Sequence, residues 1–133
     1  NDSQLLVLPL DATAPAFTVL PSISGTEKVW YTLTATNGTV TGNPTPTTSL
    51  QWQRSSNGTD WVNITGATGS IYTLVTADAN KYLRVQETAE NALGVVTASS
   101  PATGQIISSI FATTQYENIL PITWEELTTQ TWN

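Results

Sequence analysis

The side chains able to do chemistry in this chain are few, and their spacing argues against catalysis. There is no cysteine and no histidine, so the thiol nucleophile, the imidazole base and the usual zinc ligand sets are missing. Carboxylates and hydroxyls are left. Glu125 and Glu126 are adjacent, and on a helix such neighbours point about 100° apart, so they cannot act as acid and base across one bond. A helix start accounts for both through the macrodipole. Asp78-Ala79-Asn80 has oxygen donors for calcium but no spaced ligand loop beside it, and a structural corner explains it better. The serines and threonines have no activating base, and Lys28 and Lys81 lie outside any Ser-x-x-Lys pattern. Asn1, Asn37, Asn57 and Asn63 each begin a glycosylation triplet, yet Asn-Gly pairs are ordinary turn residues. No catalytic residue, cofactor or metal is expected, and the chain reads as non-enzymatic.

Composition narrows the class further. Only 11% of the residues are charged, and the net charge is −6. With no basic surface to neutralise phosphates, nucleic acid is not an expected partner. The apolar runs are far shorter than a bilayer span, so no membrane partner is expected either. At 133 residues the chain amounts to one domain, or one domain plus an arm, and it can bury a sizeable core.

Threonine, valine and aromatic residues dominate, and Gly, Pro, Asn or Asp interrupts them every 8 to 12 residues, as in an antiparallel all-β sandwich. The spacing predicts short strands at 4–9 and 16–21. It then predicts a half-buried strand from Val29 with Val29, Tyr31, Leu33 and Ala35 on one face, ended by Asn37-Gly38. The loop 41–47 is too rich in Pro and Gly to continue a ladder. Strand 48–54 sends Leu50 and Trp52 inward and pairs through the 55–60 turn with 61–64. Strands at 71–75, 81–90 and 95–99 follow, and 105–107 offers an edge segment. About seven strands in two packed sheets result. The domain organisation reads as an N-terminal arm (1–20), a sandwich (21–107) and a C-terminal docking tail (108–133).

That tail differs in character. With Thr123 as N-cap, Glu126 falls at N3 for a capping box, and Ile122 faces Leu127 for a hydrophobic staple. A short helix is predicted there, marginal unless it packs on something.

Leu50-Gln51-Trp52-Gln53-Arg54, the Gly58-Thr59-Asp60-Trp61 turn, Ile64 to Thr68, Tyr72-Thr73-Leu74, Asp78 and Tyr82-Leu83-Arg84-Val85 through Asn91-Ala92-Leu93-Gly94 form a recognisable pattern. It resembles the bacterial-type immunoglobulin-like domains of bacteriophage structural proteins, also found in bacterial surface proteins. Pro21 to Thr26 and Thr32 to Gly38 fit the start of the same module, so the match covers roughly residues 20 to 107. The resemblance implies an Ig-like sandwich with a core of Leu33, Trp52, Tyr72, Leu74, Tyr82 and Val85, and a corner at Asp78 to Tyr82 tied down by the Tyr82 hydroxyl. Two residues depart from it. Trp30 stands where the family usually has a small residue, and Glu87 interrupts an apolar register; a contact surface is one explanation, an edge glutamate with its head in solvent the more ordinary one.

Trp124 and Trp132 are eight residues apart, about two turns along one helical face, on a segment with no sandwich beneath it. Such a stripe needs cover, which points to an assembly contact. The expected partner-binding residues are Leu5, Leu6, Val7 and Leu8 in the arm and Phe111, Tyr116, Ile119, Leu120, Ile122, Trp124, Leu127 and Trp132 in the tail. With the resemblance, these imply a capsid decoration or cement protein or a head-fibre subunit on a virion surface. Its partners would be other virion structural proteins or copies of itself, and exposed rings leave room for a host-surface glycan. The other reading is a bacterial surface adhesin or glycan-binding spacer; a glycosidase would need two acids across a cleft, which the scattered carboxylates do not offer. Trp52 is expected to fill the inter-sheet core, so Trp52→Ala should cost about 3–5 kcal/mol of stability in chemical denaturation.

Overall fold

β-branched and aromatic residues alternating with threonine give this chain a pleated, half-buried character, and the structure is built from strands throughout. It is a computed structural model that describes residues 7–109. Nine strands are present among the described residues, against an expected count of about seven: β1 (Thr13–Val19), β2 (Ser22–Gly25), β3 (Thr32–Thr36), β4 (Thr39–Asn43), β5 (Thr47–Ser55), β6 (Val62–Asn63), β7 (Ile71–Thr73), β8 (Tyr82–Asn91) and β9 (Gly94–Ser99). A single 3-10 turn at Thr76–Asp78 is the sole helical element among the described residues. The helix expected near Thr123 lies outside them.

All strand pairs are antiparallel, in the orders β2-β3-β7 and β6-β5-β8-β9, with β1-β4 as a separate two-stranded ribbon. The two larger sheets form a sandwich. Between them Val29, Leu33, Ala35, Trp52, Leu74, Leu83, Val85 and Ile106 make one buried cluster. The Trp52 indole is fully buried, stacks on Tyr72 with centroids 5.5 Å apart, and donates its Nε1–H to the Gly69 carbonyl at 2.8 Å. Tyr82 differs from expectation, being half-buried against the Gly58 turn rather than inside the cluster.

The start of the fold shows what separates a strand end from a kink. β1 and β2 run antiparallel to β4 and β3, with Val19 opposite Thr39 and Ser22 opposite Thr36. Residues 13–43 are thus one long hairpin, broken where Leu20-Pro21 meets Asn37-Gly38. Asn37-Gly38 therefore does not end the strand, as its turn-like composition suggested. The chain bends and continues as β4, reaching Asn43 inside the Pro- and Gly-rich stretch expected to be loop, while residues 13–19, expected within the arm, form β1. Bends of this kind let strands cross from one sheet of a sandwich toward the other, and the β1-β4 ribbon packs beside β8 and β9.

At the bend the two chains pass so closely that a Cβ on Gly38 would overlap the Val19 carbonyl oxygen. Pro21 opposite has no N–H to offer. The ladder is interrupted here, and the acceptor at the bend is Glu87 on β8. Its side chain is fully buried, accepting from the Gly38 N–H at 2.8 Å and from Asn37 Nδ2 at 2.5 Å. This corrects the reading of Glu87 as an edge residue with its head in water: alternation along β8 carries it inward with Leu83, Val85 and Ala89.

The other end of the sandwich closes differently. Beyond β9, Ser100 and Thr103 stay on β8 through their side chains: Ser100 Oγ accepts from Val85 N and Thr103 Oγ1 from Leu83 N, each at 3.0 Å, while their own N–H groups donate back to the same residues. Hydroxyls replace carbonyls where Pro101 bulges the chain outward. Segment 105–107, expected as an edge, instead plugs the core: Ile106 is fully buried, and parallel bridges join it to Ala79 and Ile107 to Lys28.

Glu87→Ala removes the acceptor of the half-buried Gly38 N–H and of the exposed Asn37 amide and is expected to cost about 1–3 kcal/mol in urea denaturation. Glu87→Gln keeps the shape but turns an amide donor toward one of them, so it should fall between wild type and Glu87→Ala.

Candidate functional site

Four places carry polar chemistry or unusual exposure, and each is best judged by what its groups already bind. The first is the corner at Asp78. The 3-10 turn brings this carboxylate beneath β5 and β7, where it is fully buried. Oδ1 takes the Arg54 Nε–H at 2.6 Å, and Oδ2 takes the Tyr72 hydroxyl and the Val75 N–H, both at 2.9 Å. Burial works against the Arg54 charge, but the hydrogen bond and charge of Asp78 outweigh it and hold the guanidinium above its ordinary value. Tyr72 is pushed up to about 12, first by burial and then by its hydrogen bond to Asp78. Full burial and three hydrogen bonds commit the carboxylate to clamping the corner. Among the described residues no group of three or more His, Cys, Asp or Glu side chains is placed to hold a metal.

The clamp also corrects the tyrosine. The expected tie from the Tyr82 hydroxyl is not among the described hydrogen bonds; Tyr72, on the neighbouring sheet, ties the corner through Asp78 instead. Sequence offered no way to choose between two tyrosines ten positions apart.

The second place is an open cleft of about 430 Å³ beside the β5-β6 turn, lined by Arg54, Ser55, Asn57, Asp60, Val62 and Asn63 among others. Its polar groups are turned on one another. Asn57 Oδ1 accepts from Thr59 N, Asp60 N and Ser55 Oγ, and its amide donates to Asp60. Nothing here pairs a nucleophile with a base. The same committed amide, and that of Asn37 on Glu87, make both triplets structural turns or bends, while Asn63 lies in β6 and accepts from Gln53.

Third, Trp61 reaches across the outer face of its sheet, where the Arg84 guanidinium lies 4.5 Å from its ring centroid and donates to Gln53. That is local packing, as its place in a hairpin suggested; burial lowers the Arg84 pKa.

The fourth place is the turn before β3. Tyr31 N donates to Lys28 O, closing a four-residue turn whose third residue, Trp30, has φ 80°. That position of a type II turn favours glycine. A bulky residue there is a genuine outlier, costing about 1–2 kcal/mol, and the turn breaks the alternation expected from Val29. Val29 is buried, while Trp30 and Tyr31 are 60% and 51% exposed. Ile107 and Val75 add apolar surface nearby, and Lys28 Nζ stands 6.0 Å from the Tyr31 ring centroid. Sequence flagged Trp30 as a departure but set Tyr31 on one face with Val29, Leu33 and Ala35.

Of the expected partner-binding residues, Val7 and Leu8 fall among the described ones; Val7 is 90% exposed and Leu8 half-buried. Leu5, Leu6, Phe111, Tyr116, Ile119, Leu120, Ile122, Trp124, Leu127 and Trp132 lie outside them, as do Glu125 and Glu126.

The family model described as a domain of unknown function, DUF8696, matches residues 19–108. The chain belongs to this family. The DUF8696 match opens at the end of β1 and closes just past Ile107, so it takes in both sheets, the Glu87 bend, the Asp78 clamp and the Trp30 turn. A search of curated proteins finds no match to the chain.

The raised Tyr72 pKa has a measurable consequence. Below pH 10 the hydroxyl is protonated whether the chain is folded or not, and its contribution is complete; between pH 10 and about 12 the unfolded chain loses the proton first, so stability falls with rising pH. Denaturation midpoints measured across this window should show that decline in wild type and a weaker one in Tyr72→Phe.

Proposed function

We propose that this chain is a non-enzymatic structural component of a bacteriophage virion, a capsid decoration or cement protein or head-fibre subunit attached through its N- and C-terminal segments. The domain is read as an Ig-like sandwich, with β2-β3-β7 as strands A-B-E and β6-β5-β8-β9 as C′-C-F-G. The observation that carries the functional reading is a division of labour over the surface. The polar side chains capable of chemistry, Arg54, Asp78, Tyr72 and Glu87, are bound to one another or to backbone, and every buried side-chain polar atom among the described residues has a partner. Exposed apolar side chains are spread over the surface, Val62, Ile71 and Val95 among them, and include Val7 and Leu10 where the N-terminal segment joins the domain and Trp30, Tyr31 and Ile107 where the C-terminal one does. A surface of this kind suits attachment, and repetition on a symmetric particle makes weak contacts effective.

The adhesin or glycan-binding reading draws on the same Trp30 and Tyr31 rings, whose faces are available for stacking on sugars. It differs in needing no role for the aromatic tail. Deletion of residues 108–133 separates the two. The shortened chain should keep its cooperative unfolding transition and lose attachment to particles in a co-sedimentation assay; retained attachment would show that the tail is not the anchor, and glycan binding by a chain that attaches to no particle would favour the adhesin.

A further inference from the structure

We infer that the exposed Trp30 and Tyr31 rings, with Lys28 and Asn80 beside them, form a binding platform for an acidic saccharide, a pyranose that carries a carboxylate. The inference rests on the glycan-binding reading of these rings and names their ligand; attachment through the terminal segments is independent of it. Three observations lead to it.

The first is how the rings are presented. Glycine would relieve the φ of 80° at Trp30 and remove exposed apolar area together, yet an indole stands there, 60% exposed. Strain of this sort persists where the side chain it presents has a use. The Tyr31 N–H donates to Lys28 O and the Trp30 N–H to Leu74 O, each at 3.0 Å. A base held in this way lowers the entropy cost of binding against the rings.

The second is what stands beside them. Ile106 bridges in parallel to Ala79 and Ile107 to Lys28, so Asn80 follows Ala79 as Ile107 follows Ile106. Lys28, Ile107 and Asn80 therefore form a row across adjacent segments next to the turn. Ile107 and Asn80 are exposed and Lys28 is half-buried, while Ile106 and Val29 behind them are buried. The Asn80 backbone is fixed on both sides, its N–H on Ile106 O and its carbonyl on Gln105 Nε2. Ring faces edged by an amide and an ammonium group match a pyranose, whose C–H groups settle on the electron-rich rings while its hydroxyls meet the polar edge. An apolar protein surface laid here would instead cover Lys28 and Asn80 without giving them partners.

The third is charge. The chain has a net charge of −6 and four Lys and Arg residues. Arg54 is paired with Asp78, and Arg84 lies over Trp61 and donates to Gln53. The two lysines both stand at this end: Lys28 Nζ is 6.0 Å from the Tyr31 ring centroid, and the Lys81 carbonyl accepts from Ile106 N. Glu27, the acid beside them, has its Oε1 on Gly104 N. An acidic chain thus sets its lysines around this ring pair, and a carboxylate on the ligand complements them.

The test titrates the isotope-labelled full-length chain with tetragalacturonate at low ionic strength, read by nuclear magnetic resonance. The Trp30 indole N–H and the Asn80 side-chain amide should shift. Followed on the Asn80 amide, Trp30→Gly should weaken binding about tenfold, with the backbone relieved and thermal unfolding no earlier than in wild type. Lys28→Gln should weaken it about threefold, and added salt should lower the wild-type affinity. Maltotetraose, which is neutral, should bind more weakly. Equal binding of the two sugars would overturn the acidic ligand and leave the glycan-binding reading standing; no shift at Trp30 with either would overturn both. A glutamate tetrapeptide that moves Trp30 at lower concentration than the sugar would assign the rings to an acidic protein partner. A Trp30 shift on dilution alone would assign them to a second copy, and either result overturns the inference.

Discussion

At the bend in the long hairpin the ladder is interrupted, and the Glu87 carboxylate on β8 is the acceptor for a backbone N–H there. The arrangement is forced from both sides. Pro21 and the close passage at Gly38 mark the bend, where the half-buried Gly38 N–H and the side-chain amide of the exposed Asn37 both donate to Glu87. An unmet donor there would cost about 1–3 kcal/mol. One acid on a neighbouring strand answers both, and in doing so joins the hairpin to β8. The β1-β4 ribbon can then leave the β2-β3-β7 sheet and pack beside the other one. Without that carboxylate the bend would have to straighten or admit water into the core.

β8 organises the remainder through the same alternation. Its inward residues run Leu83, Val85, Glu87, Ala89, so a single register sets two apolar residues over the Trp52-centred core and one acid under the bend. Its backbone at Leu83 and Val85 is completed by the Thr103 and Ser100 hydroxyls, which guide the chain on to Ile106 and close the far end. The Asp78 clamp sits near that closure, with a buried carboxylate bridging Arg54 on one sheet and Tyr72 on the other. Two buried acids thus fasten the sandwich near its two ends, and each is fully hydrogen-bonded, the condition under which a buried charge is tolerated.

Much of this was readable in the amino-acid pattern, because alternation reports burial directly: Leu33, Trp52, Leu74 and Val85 are all fully inside, and the strands from β5 to β9 fall within one or two residues of their expected bounds apart from the shorter β6 and β7. What was not readable has a common cause. Glu87, Tyr72 and Asn37 owe their roles to partners 6 to 50 positions away, and no local pattern shows that a distant N–H needs an acceptor. Asn-Gly has the same composition whether it turns a chain or bends it. Tyr31 departs from its expected face because a two-residue period assumes extended backbone, and the turn with positive φ at Trp30 leaves Tyr31 outward while Val29, Leu33 and Ala35 keep the expected parity.

The function proposed follows from where free surface remains once these internal bonds are made. Acids, amides and hydroxyls hold the fold, and exposed aliphatic groups are spread over its surface, with the exposed Trp30 and Tyr31 rings standing beside Ile107, where the chain leaves it. That distribution suits a part whose work is to be held in place by other molecules. Electron cryomicroscopy of the native material tests this most directly. The account predicts sandwich-sized densities repeating on a particle surface, each joined to its neighbours through its terminal segments; a chain found in its native source only as free single molecules would contradict it.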